Sequence, residues 1–102
     1  LPISQDETYT GPSVLSYSME GRKGSYLPIP AYKCIGSGEV TVIVTIDPSG
    51  KVLQAKIQDD ISSSDKCLRE YALKAASQSR FSKKSDAPAR QIGNIVYEFI
   101  AQ

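Results

Sequence analysis

The stretch Gly38-Glu39-Val40-Thr41-Val42-Ile43-Val44-Thr45-Ile46-Asp47-Pro48-Ser49-Gly50-Lys51-Val52-Leu53-Gln54-Ala55-Lys56-Ile57 organises the rest of the chain. Val40, Val42, Val44 and Ile46 recur at a spacing of two, with Thr41, Ile43 and Thr45 between them. Such alternation among β-branched residues predicts a strand with one face buried deeper than the other. Asp47-Pro48-Ser49-Gly50 then breaks the run. Pro48 presets φ at the second position of a turn, and Gly50 tolerates a left-handed backbone at its exit. Val52, Leu53, Ala55 and Ile57 resume as a second strand. Residues 39–58 therefore read as a β-hairpin.

Downstream the apolar period changes. Leu68, Tyr71, Ala72, Ala75 and Ser79 share one face at helical spacing, which predicts an amphipathic helix over 65–79 laid on a sheet. Ser63 or Ser64 is placed to cap it, with Asp65 in the first turn at the positive end of the dipole. Phe81 should plug the core, and residues 82–90 read as a basic, Pro-containing loop. Residues 91–101 return to alternation and predict a last strand with Ile95, Tyr97 and Phe99 inward.

Upstream, residues 1–12 are a polar lead-in. Val14–Met19 alternates with Leu15, Tyr17 and Met19 on one face, and turn residues at 20–24 precede Ser25-Tyr26-Leu27. The pattern predicts an N-terminal hairpin between those two runs. Pro28-Ile29-Pro30 must then run extended across a surface, since each proline lacks a donor and restricts its predecessor.

The core order is β-β-α-β, an α+β arrangement with one helix on a small antiparallel or mixed sheet. A right-handed crossover places the last strand beside the first, so the sheet order is second, first, last. The last strand is then an edge unless the N-terminal hairpin covers it.

Composition excludes several functions. At 102 residues the chain is one domain, and a net charge of +1 gives no case for nucleic-acid binding. The basic excess of residues 51–102, nine against six acidic, is small and reads as a solvated surface. There is no histidine, hence neither the usual general base nor the commonest transition-metal ligand. Neither Cys34 nor Cys67 has a histidine to activate it as a nucleophile. Asp59-Asp60 with Asp65 or Asp47 matches no Ca²⁺ loop and reads as a solvated acidic turn. Gly36-Ser37-Gly38 precedes a strand, so the helix-terminus geometry of a phosphate cradle is missing. Lys83, Lys84 and Arg90 read as loop solubility, with an acidic partner as the competing reading. Tyr9, Tyr17, Tyr26 and Tyr32 read as packing for the hairpin, with a ligand-stacking surface as the alternative. No cofactor and no metal are expected. No run is long enough to span a bilayer. A first residue of Leu rather than Met suggests a trimmed fragment, with any anchor or signal upstream.

The ordered set Gly38-Glu39-Val40-x-Val42-x-Val44-x-Ile46-Asp47-x-x-Gly50-x-Val52-x-x-Ala55-x-Ile57, a Ser-rich loop, Leu68, Ala72-Leu73-x-Ala75-Ala76, Phe81 and Tyr97-x-Phe99 resembles the C-terminal domain of TonB energy transducers. The resemblance covers residues 28–101. It divides the chain into a lead-in and hairpin at 1–27 and a TonB C-terminal-like domain at 28–102. It implies a periplasmic domain, the full-length protein being anchored in the inner membrane. It further implies capture of an extended segment of an outer-membrane transporter along the last strand. Ile92, Gly93, Asn94, Ile95, Val96, Tyr97 and Glu98 would then give the backbone ladder. Ile92, Asn94, Val96 and Glu98 would face outward and tune specificity. Two other readings stay open: a stand-alone envelope adaptor or dimerisation module whose last strand pairs with a second copy, and an enzyme whose site the sequence does not display.

Cys34 and Cys67 are not general features of that family, and neither is the N-terminal hairpin. Cys34 precedes the first strand and Cys67 opens the helix after the second. Antiparallel strands bring these points together, so an oxidising periplasm should join them in a disulfide. Two buried free thiols are the rival reading.

Overall fold

The structure is a computed structural model and describes residues 8–9, 13–28 and 37–100. The quoted stretch folds as read. Strands β4 (Gly38–Ile46) and β5 (Val52–Ile57) pair antiparallel around the 47–50 turn. Val40, Val42, Val44 and Ile46 are all fully buried. Thr41 and Thr45 are buried too, because β4 has a neighbour on each side.

The turn is fixed locally. Gly50 donates its N–H to the Asp47 carbonyl at 2.9 Å and adopts φ +92°. The Asp47 carboxylate accepts from the Ser49 hydroxyl at 2.6 Å and the Lys51 N–H at 3.0 Å. Those bonds, the Ser49 hydroxyl first, hold the Asp47 carboxyl below the usual carboxylate range. A bulge follows: Thr45 lies opposite Gln54 and Ile46 opposite Val52, which leaves Leu53 without a cross-strand partner.

Helix α1 spans Lys66–Ser77 and buries Leu68, Ala72, Ala75 and Ala76. It packs on β4 and β5, where small alanines permit close approach. The cap differs from expectation. Asp65, not Ser63 or Ser64, is the N-cap, and its carboxylate accepts from the N–H groups of Cys67 at 2.9 Å and Leu68 at 3.4 Å. The Ser63 hydroxyl instead accepts from the Asp65 N–H at 3.1 Å, and so positions the capping residue. Asp65→Ala is expected to lower stability by about 1 kcal/mol in chemical denaturation. An unchanged midpoint would mean that Ser63 or Ser64 takes over the cap.

After α1, strand β6 (Arg80–Phe81) buries Phe81, and the basic loop leads to β7 (Gln91–Phe99) with Ile95, Tyr97 and Phe99 buried. β7 pairs antiparallel with β4 along its whole length. The order second, first, last is therefore present as β5-β4-β7, and the domain is α+β with one helix on a mainly antiparallel sheet.

The N-terminal part needs a correction. β1 (Thr8–Tyr9) and β2 (Ser13–Ser18) form a hairpin with each other. β3 (Gly24–Tyr26) pairs with β6 rather than with β2. β2 lies antiparallel along β7 from Asn94 to Phe99, so the sheet order is β1-β2-β7-β4-β5. The reason is the length of ladder on offer. β7 presents nine residues of edge and the apolar face of Ile95, Tyr97 and Phe99, against three residues in β3. Leu15, Tyr17 and Met19 turn into that core at 0–2% exposure. The expected inward face of this strand is correct, but its expected partner is not.

Candidate partner-binding edges

The residues singled out for partner binding all lie on β7. Ile95 and Tyr97 point into the core, while Ile92 and Glu98 are exposed, and Asn94 and Val96 are half-buried on the outward face. The alternation is as expected, but the edge is not open. With β4 on one side and β2 on the other, the backbone of Asn94–Phe99 is paired on both sides. Gly93 allows this close packing, because a Cβ there would lie 2.5 Å from both the Ser18 carbonyl oxygen and the Met19 methyl carbon. Glu98 also faces Glu39 directly across the β4–β7 ladder, two like charges on the face away from the helix.

The outer edge of β5 ends the sheet among the described residues. Its flanks are cationic: Lys51 and Lys56 are exposed, and exposed Arg90 donates from Nη2 to the Gln54 side-chain oxygen at 3.4 Å.

Arg22 was not legible as anything but a turn residue, yet it is 2% exposed. Its Nη1 donates to the carbonyls of Asp47 and Ser82, each at 3.1 Å, and ties the N-terminal turn to the hairpin and the post-helix loop. Tyr17 acts beside it: its hydroxyl accepts from the Gly24 N–H at 2.8 Å, and its ring packs edge-on against Phe81. Tyr26, by contrast, is exposed, the Tyr9 side chain is not described, and Tyr32 lies outside the described residues.

Burial raises the pKa of the Tyr97 hydroxyl, an effect the nearby Ser79 hydroxyl partly opposes. Asp59 is paired with Arg69 rather than gathered with Asp60, Asp65 or Asp47, and no metal-binding cluster occurs among the described residues. Lys84 pairs with Asp86 at 3.4 Å within the basic loop. No described helix is long and apolar enough to cross a membrane.

Cys67 is half-buried at the second position of α1, and no cysteine among the described residues is a free thiol. Cys34 lies outside the described residues.

A helix on an antiparallel sheet in β-β-α-β order defines a small α+β domain of the one-helix type. The family model for the Gram-negative bacterial TonB protein C-terminal region matches residues 28–99, and the chain belongs to that family. No curated protein and no solved structure matches it. The match begins after β1, β2 and β3, so the strand that fills the β7 edge lies outside the family's region.

Proposed function

We propose that this is the periplasmic interaction domain of a TonB-like energy transducer, which takes an extended segment of an outer-membrane transporter by strand addition. The family match over 28–99 carries the reading. Strand addition suits the physics of the site, because the edge of an antiparallel sheet offers backbone donors and acceptors to an extended segment. Docking along Ile92, Gly93, Asn94, Ile95, Val96, Tyr97 and Glu98 then requires β2 to be exchanged for the incoming segment. Burial of Leu15, Tyr17 and Met19 opposes that exchange.

The test is a titration of the ¹⁵N-labelled chain with N-terminal transporter peptides and their N-methylated versions. Saturable amide shifts that disappear on N-methylation are expected, each lost bond weakening the complex by about 0.5–1.5 kcal/mol. Absence of shifts with every such peptide would refute the reading. The filled β7 edge opposes pairing with a second copy as much as peptide capture, so what it favours as a second reading is a stand-alone envelope adaptor; a monomeric molar mass without transporter-peptide binding would support it instead.

We further propose that Cys34 and Cys67 form a disulfide. Two contacts support it. The Ser63 N–H donates to the Glu39 carbonyl at 2.8 Å, and a Cβ on Gly38 would lie 3.5 Å from Leu68. The start of β4 therefore lies against the start of α1, and Cys34 is a few residues ahead of that point.

A further inference from the structure

Ladder alternation determines which backbone groups of β5 are already used. The Gln58 N–H donates to the Thr41 carbonyl at 2.9 Å, in the register that sets Ile57 opposite Val42. Bonded and non-bonded residues alternate along an antiparallel pair. Gln54 and Lys56 therefore turn their backbone groups toward β4, and Ala55 and Ile57 turn theirs outward. β6 meets the start of this side, where Lys51 and Arg80 form a β-bridge and the Phe81 N–H donates to the Gly50 carbonyl at 2.9 Å; from Leu53 to Ile57 no described strand pairs with it, whereas the other end of the sheet is the two-residue β1. Leu53, unpartnered at the bulge and 45% exposed, adds apolar surface to the same strand.

The charges around this edge are of one sign. Lys51 stands at its start and Lys56 near its end, with Arg90 held over Gln54 between them. The ion pairs among the described residues are Arg69–Asp59 and Lys84–Asp86, so none of these three cations has a carboxylate partner there. The carboxylates that follow the strand are Asp59, held by Arg69, and exposed Asp60. Edge lysines discourage pairing with a second copy, which would gather the same cations from both chains. They favour an incoming strand of opposite charge.

We propose that the outer edge of β5 docks an extended, carboxylate-bearing segment of another protein. This rests on the strand-addition reading above and places it on an edge that is open while β2 stays in the sheet. The N–H and C=O groups of Ala55 and Ile57 supply the ladder, and Lys51, Lys56 and Arg90 select for acidic side chains.

The probe is a short synthetic peptide alternating glutamate with valine, compared with its twin carrying lysine in place of glutamate. Titrated into the ¹⁵N-labelled full chain, the glutamate peptide should shift the amides of Ala55 and Ile57 and leave Asn94–Phe99 unmoved. The lysine twin should bind roughly tenfold more weakly, the sum of several exposed charge contacts. Ala55→Pro removes an outward donor without touching the β4 ladder and should abolish the shifts. Lys51→Glu combined with Lys56→Glu alters only exposed side chains and should reverse the preference, which keeps the test decisive should the proline variant misfold. Shifts centred on Asn94–Phe99, equal affinity for the two peptides, or no binding of either would overturn the assignment to β5. Transporter peptides that still bind at Ile92–Glu98 would leave strand addition standing on its own; loss of all peptide binding would remove both.

Discussion

Tyr17→Ala is expected to cost about 3–5 kcal/mol and Leu15→Ala about 2–5 kcal/mol, a large share of the roughly 5–15 kcal/mol that holds a domain of this size folded. Both side chains sit at 0–2% exposure against β7, although they precede the region that the family model matches. Tyr17 loses more than packing, because its hydroxyl is the acceptor for the Gly24 N–H and its ring lies against Phe81. Gly93→Val should show the same dependence from the other side. A side chain there meets Ser18 and Met19, and overpacking of this kind costs about 1–3 kcal/mol. Urea unfolding followed by circular dichroism measures all three. If residues 28–102 alone unfold at the same urea concentration as the full chain, β2 is a removable cover and the expected losses are wrong. A large loss means that β2 belongs to the core, so that exchange at the β7 edge works against several buried side chains at once.

The sequence showed the period-two and helical runs plainly because each is a local pattern with one dominant physical cause. β4, β5, α1 and β7 lie where alternation and helical spacing placed them, and Leu15, Tyr17 and Met19 face inward as their spacing required. Which edge β2 would join was not legible. Pairing β2 with the run at 25–27 and pairing it with β7 satisfy the same alternation, and only the assembled sheet shows that β7 offers the longer ladder. The candidate residues Ile92–Glu98 thus alternate in face as read, while the sequence left open whether N-terminal residues would cover that edge. Arg22 followed the same logic. Beside Glu20, Gly21 and Lys23 it reads as a solvated turn, and its burial arises from carbonyls of Asp47 and Ser82 far along the chain. The β5 edge left a fainter trace, in that Lys51 and Lys56 bracket an otherwise uncharged strand.

Quantitative thiol labelling of the unfolded, non-reduced chain is expected to find no reactive cysteine. Labelling after reduction should find two, since Cys34 and Cys67 are the only cysteines. Closing the loop between these positions restricts the unfolded chain and should contribute roughly 3–4 kcal/mol, an upper figure because native strain is ignored. The variants Cys34→Ser, Cys67→Ser and the double replacement separate this from the rival reading of two buried thiols. A bridge is lost entirely whichever end is removed, so all three should lose nearly the same stability, and reductant should bring the wild type down to meet them. Independent thiols behave otherwise. Each replacement would then carry its own local cost, the costs would add in the double variant, and reductant would leave the wild type unchanged. Half-buried Cys67 at the start of α1 makes the distinction sharp, because a hydroxyl there changes little packing and a large loss on Cys67→Ser must come from the covalent link. Two reactive thiols before reduction would rule the bridge out. The start of β4 would then be held beside α1 without a covalent link, through contacts that include the Ser63–Glu39 and Thr41–Ser62 hydrogen bonds and the packing around Leu68.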